Sequence, residues 1–116
     1  MERIGRRELT ESIADVIISK KGSETLIYDV SSITSFTEYI VITSVNSKVQ
    51  MDAIHKELER SVSPRPDHVE GESSSGWVLL DYDSVIVNIF LEPVREFYRL
   101  ERLWGDAQKV EFKCMK

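Results

Sequence analysis

Apolar positions along the chain follow two periods, and the switches between them mark the elements. Leu9, Ile13, Val16 and Ile17 recur at helical spacing, which predicts an amphipathic helix of about three turns. Thr10 or Ser12 is placed to cap it, and Lys20-Lys21-Gly22 offers basic residues and a left-handed glycine for its end. Thr25-Leu26-Ile27-Tyr28-Asp29-Val30 is short and β-branched and is followed by serines, so it reads as a strand leading into a loop over residues 31–37. Tyr39-Ile40-Val41-Ile42-Thr43 is apolar on both pleat faces, as in a central strand covered on each side. Ser47 opens a second helix carrying Val49, Ala53, Ile54, Leu58 and Val62, which Pro64 and Pro66 stop.

Residues 63–76 are polar and rich in Ser, Pro and Gly, a mobile connection broken by His68-Val69 as a short edge strand. Gly76 to Tyr82 and Val85 to Phe90 are two strands of a hairpin turning at Asp83-Ser84. Pro93 suits the first turn of a third helix that carries Val94, Phe97, Tyr98, Leu100, Leu103 and Trp104 and ends at Gly105. The order α-β-β-α-(β)-β-β-α predicts an α/β fold, a mixed sheet with helices on its faces. With 116 residues there is room for one domain, its core spanning about 9–106 and a tail over 107–116.

Charge narrows the partner class. Fifteen Lys and Arg against 20 Asp and Glu give a net charge of −5, the wrong sign for neutralising phosphates over a broad surface, so a basic protein is the easier partner. No apolar run approaches the roughly 18 residues of a membrane span or forms a signal-peptide core, so a cytoplasmic location without membrane contact is expected. Cys114 stands alone in a charged tail and reads as an incidental thiol.

Catalytic signatures are scarce. His55, His68 and Cys114 have no zinc-ligand spacing, and no base is placed to activate a serine, so no metal or cofactor is expected. Gly71-Glu72-Ser73-Ser74-Ser75-Gly76 has the glycine spacing of a phosphate-binding loop but continues Trp77-Val78 where Lys and Ser or Thr are required. Asp81 and Asp83, two apart on a strand, are the one pair able to share a divalent ion; the alternative enzyme reading is a residual magnesium-dependent nucleotidyltransferase using them.

With the turn at Asp83-Ser84, Trp77 opposes Phe90, Leu79 opposes Asn88 and Asp81 opposes Ile86 on one face, while Val78, Leu80, Tyr82, Val85, Val87 and Ile89 fill the other as core. The first face suits either a half-exposed recognition surface or a face covered by a helix with its polar pair at the rim. The aromatics of the last helix wrap around more than one stripe, so some are left for an acid-rimmed docking patch or for a homodimer seam.

Three blocks, Ser35 to Ile42, Gly76 to Tyr82, and Arg95 to Asp106 with its Leu103-Trp104-Gly105-Asp106 ending, resemble the ribosomal silencing factor family, also called the Iojap or RsfS family. The resemblance implies a nucleotidyltransferase-like fold that lacks the catalytic motif, and a factor that is not an enzyme. It implies binding to the large ribosomal subunit through its protein number fourteen, steric blocking of small-subunit joining, and repression of translation when nutrients run short. The matching positions for that contact are Trp77, Leu79, Asp81 and Tyr82 on the hairpin and Phe97, Tyr98, Leu103 and Trp104 on the last helix. The family often has Asp-Tyr-Gly at the hairpin turn and a His in the following strand; here these are Asp81-Tyr82-Asp83 and Asn88.

Overall fold

The structure is a computed structural model that describes residues 5–112; Cys114 lies outside them. Helix α1 (Arg6–Ser19) starts earlier than the spacing suggests, after an extended Gly5 with no side-chain cap. Thr10 is an interior residue whose hydroxyl donates to the Arg6 carbonyl at 2.7 Å. At the other end the Gly22 N–H reaches the Ile17 carbonyl at 2.9 Å and the Lys21 N–H reaches that of Ile18 at 3.0 Å, the paired bonds of a Schellman ending. The left-handed residue there is Lys21, at φ 69°, and not Gly22. Gly22 is required for space, since a Cβ would sit 2.5 Å from Ile17 Cγ2 and 2.7 Å from Thr43 Oγ1.

Strands β1 (Ser23–Asp29) and β2 (Tyr39–Val45) pair antiparallel, and every residue of β2 is buried, as a central strand requires. Helix α2 (Lys48–Ser61) is capped by Ser47, whose Oγ accepts the Gln50 N–H at 3.0 Å. Its buried stripe is Met51, Ile54 and Leu58; the expected Val49 and Ala53 face solvent. The Gln50 side-chain amide donates to the Lys20 and Lys21 carbonyls at 3.1 and 2.9 Å, tying the start of α2 to the end of α1.

The edge strand expected at His68-Val69 is present and longer than expected, and it takes up much of the stretch expected to be a mobile connection. Strand β3 (His68–Glu72) pairs along β4 (Trp77–Asp81), joined by a single 3-10 turn at Ser73–Ser75 in which the Ser75 hydroxyl donates to the Glu72 carbonyl at 2.7 Å. Gly71 makes the approach possible: it sits at φ +82°, and a Cβ would lie 2.1 Å from the Trp77 carbonyl oxygen. Strand β5 (Val85–Leu91) follows β4 and runs parallel to β2. Helix α3 (Glu92–Tyr98) and a 3-10 turn at Leu100–Arg102 come next, then β6 (Gln108–Lys109) beside β1.

The sheet order is β3-β4-β5-β2-β1-β6, with only the central β2/β5 pair parallel. The α/β class and the mixed, helix-flanked sheet are as expected. Packing, however, runs beyond the anticipated boundary at residue 106: the Val110 N–H donates to the Ile27 carbonyl at 2.8 Å, and Phe112 is 3% exposed within the core under the Arg7 guanidinium. Val110-Glu111-Phe112 alternates over only three residues, too short a run to mark a strand or a core position in the sequence pattern. Among the described residues no helix is long and apolar enough to cross a membrane.

Candidate functional site

The hairpin register sets the site. Trp77 pairs with Phe90, Leu79 with Asn88 and Asp81 with Ile86, as the alternation predicts. Val78, Leu80, Tyr82, Val85, Val87 and Ile89 point to the opposite face, where α1 and α2 bury them. On the first face Phe90 and Asn88 are buried while Trp77, Leu79, Asp81 and Ile86 remain half-buried. A helix thus covers one portion of this face and leaves the rest half-exposed.

That helix is shorter than the sequence pattern predicts. Instead of running to Gly105, α3 stops at Tyr98, and Arg99 takes a left-handed conformation at φ 47°. The break answers the problem of aromatics on several stripes. It lets Val94 of α3 and Leu100 and Trp104 beyond it all pack on the same sheet face, with Tyr28, Val30, Ile40 and Ile42. Arg95 fastens α3 down. Its guanidinium, 6% exposed, donates to the Glu24 carbonyl at 2.7 Å and the Ser44 hydroxyl at 2.8 Å, and pairs with Glu101 at 3.4 Å. Composition alone reads Arg95 as surface charge; only the tertiary contacts reveal it as an anchor. Burial raises the Tyr28 hydroxyl above its ordinary range, helped by Glu101 and opposed by Arg95.

What α3 leaves uncovered is aromatic. The Trp77 ring lies 4.8 Å from Phe90 and 4.9 Å from Tyr98, and Phe97 meets Tyr98 edge-on at 5.1 Å. Tyr98 is 53%, Leu103 69% and Phe97 81% exposed. The Trp77 indole N–H donates to Asn88 Oδ1 at 3.1 Å, so the Asn that stands where the family often has His holds the tryptophan in place. Sequence reasoning missed Ile33 and Phe36, both at least half exposed, with Phe36 6.4 Å from the Trp104 ring. Their signal was an apolar pair in an otherwise polar loop.

Two of the eight site residues move. Tyr82 is 4% exposed and belongs to the core on the opposite face; burial, with Glu59 adding to it, pushes its hydroxyl up to about 12. Trp104 is 9% exposed and is packing rather than surface. The structure brings together Trp77, Leu79 and Tyr98 around a groove of about 260 Å³, lined also by Glu70, Gly71 and Ser75. Asp81 and Asp83 close a turn: Asp81 Oδ1 accepts the Asp83 N–H at 2.8 Å, and Asp83 stands at φ 73°. That is a left-handed position that glycine fits best and Asp tolerates. His68 lies in the edge strand, as expected, its Nε2 2.8 Å from Glu70.

Compared with known proteins, the family model described as "Ribosomal silencing factor during starvation" matches residues 4–116. The ribosomal silencing factor RsfS of Halalkalibacterium halodurans is 29% identical, covering 95% of this chain and 97% of its own. That of Bacillus subtilis is 30% identical, covering 90% and 91%. The mouse protein named for mitochondrial assembly of the ribosomal large subunit is 24% identical over 89% of this chain and 48% of its own. Among solved structures, a Bacillus halodurans protein superposes with a TM-score of 0.78 at 28% identity, covering 91% of this chain and 99% of that one. One from Chromobacterium violaceum gives 0.77 at 27% identity, covering 97% and 93%.

Proposed function

Because the chain belongs to the ribosomal silencing factor family, we propose that its uncovered aromatic face docks on the large ribosomal subunit at protein number fourteen and blocks the small subunit from joining. The observation that carries this reading is the exposed set Phe97, Tyr98 and Leu103 beside the half-buried Trp77, at the edge of the sheet face that α3 covers only in part. Aromatic side chains that are rigid and already clustered lose little freedom on binding, and they dominate the energy of protein interfaces. The net charge of −5 favours a basic protein over bare RNA, and the mouse relative's name points to the same subunit.

The factor acts by occupying space, so no turnover and no cofactor are needed, and repression scales with the fraction of subunits occupied. Its place of action is the cytoplasm, on subunits between rounds of translation when nutrients are short. A contact of standard size, roughly 800 Å² on this partner, is enough for a reversible block.

Sedimentation of purified subunits tests it. The protein should travel with the large subunit and reduce the joined fraction, and Phe97→Ala should lose both effects while melting within about 0.5 kcal/mol of the parent, since Phe97 is 81% exposed. Unaltered joining with the protein left at the top of the gradient would sink the proposal. A melting curve raised by magnesium and a nucleotide, and not raised in Asp81→Ala, would instead favour the enzyme reading.

A further inference from the structure

The groove beside Trp77 has a chemistry of its own, set by the pairing of the edge strand. In the β3/β4 register Glu70 stands opposite Leu79 and Glu72 opposite Trp77. Paired residues share a face, so two carboxylates flank the aromatic patch on the docking side. The Trp77 and Tyr98 rings, in contact at 4.9 Å between centroids and inclined at 48°, form one continuous aromatic side of the groove. Leu79 forms apolar lining, Gly71 contributes no side chain, and the Glu70 carboxylate is held through one oxygen by His68 Nε2 at 2.8 Å. At about 260 Å³ the groove is smaller than the roughly 300–1,000 Å³ of small-molecule sites. It suits one protruding side chain rather than a cofactor.

We infer that this groove receives a single arginine side chain of the basic protein partner, its guanidinium lying over the contiguous Trp77 and Tyr98 rings and its edge paired with Glu70. The planar guanidinium is the one side chain that offers both a weakly hydrated face for aromatic rings and a fork of N–H donors for a carboxylate; a lysine ammonium offers only a point charge. The inference deepens the docking proposal by naming what the face recognises. It also leads to a test that does not depend on ribosomes.

The probe is N-acetyl-arginine methylamide, titrated into the full chain while the two indole N–H resonances are followed by NMR. Trp77 should shift saturably and Trp104, 9% exposed, should not. The lysine analogue should bind at least roughly threefold more weakly. Glu70→Gln and Tyr98→Leu, one at an exposed strand edge and one at a half-exposed ring, should each abolish the preference with the melting temperature unchanged. An unshifted Trp77 resonance, equal response to both amides, or an unaffected Glu70→Gln protein each overturns the inference. A second arm separates it from the docking proposal: Glu70→Gln should weaken binding to large subunits on the order of tenfold at low salt and less as salt rises. If the arginine amide binds and subunits do not, the docking reading falls and the groove stands. If subunits bind equally well to parent and Glu70→Gln, docking stands and the arginine assignment falls.

Discussion

On the sheet face under α1 and α2, Ile13, Ile17, Met51, Ile54 and Leu58 are wholly buried, whereas across the sheet α3 and its 3-10 turn leave Trp77 and Leu79 half-buried and Phe97 81% exposed. The two faces are lined by the same strands, and the difference lies in how much helix lies over them: two helices of 14 residues against one of 7. Side chains on the first face contribute mainly to folding, because water is already excluded there. On the second, part of the apolar area is still wet and is available to a partner. The sheet thus divides stability and recognition between its sides, and substitutions should sort by face.

The largest effect belongs to the dry side. Leu58→Ala should cost about 2–5 kcal/mol of stability in chemical denaturation, and the fraction that remains folded should still travel with the large subunit. Lost docking in a folded Leu58→Ala protein would break the division. Arg95→Ala tests the polar anchor of the second face. It leaves the Glu24 carbonyl, the Ser44 hydroxyl and Glu101 without their shared donor, and should lower stability by about 2–3 kcal/mol while loosening α3. Docking should weaken with it, unlike in Leu58→Ala. The smallest effect is a pH dependence at Tyr82, whose buried hydroxyl has no hydrogen-bond partner among the described residues. Its folded value is raised above that of the unfolded chain, so the unfolded state releases its proton first and stability falls as pH climbs from about 10 towards 12. Tyr82→Phe should flatten that fall in a melting series and leave docking untouched.

How much of this division was legible in the sequence follows from which signals are local. The hairpin register came through alternation and a two-residue turn, and it correctly separated Val78, Leu80 and Tyr82 from Trp77 and Leu79. Ser47 announced α2 because capping is a contact between residues three apart. The break at Arg99 had no such signal. No glycine or proline stands there, and the left-handed turn is held by the packing of Leu100 and Trp104 on a distant strand, so the pattern suggested one long helix and could not tell which of its aromatics are core; Trp104 was offered as a contact through the family likeness alone. Tyr82 was offered as a contact through likeness to a family motif although its own alternation put it in the core; the alternation was the better guide. Arg95, Phe36 and Phe112 were missed for a common reason: each takes its role from residues far along the chain.

The parallel β2/β5 pair bears on how the molecule assembles. Every other strand pairing except the short one with β6 joins elements that are near neighbours in the chain: β1 with β2, β3 with β4, and β4 with β5. The chain can therefore organise as two locally closed pieces, α1 to α2 and β3 to α3. They meet along the β2/β5 seam, with bonds such as that from Asn88 Nδ2 to the Val41 carbonyl, 47 residues apart, and the helices pack across it. Closing that seam carries a loop-entropy cost that is repaid only when both pieces are formed. The amides along β2 and β5 should accordingly be the last to gain protection in refolding and, in the finished protein, among the slowest to exchange with solvent.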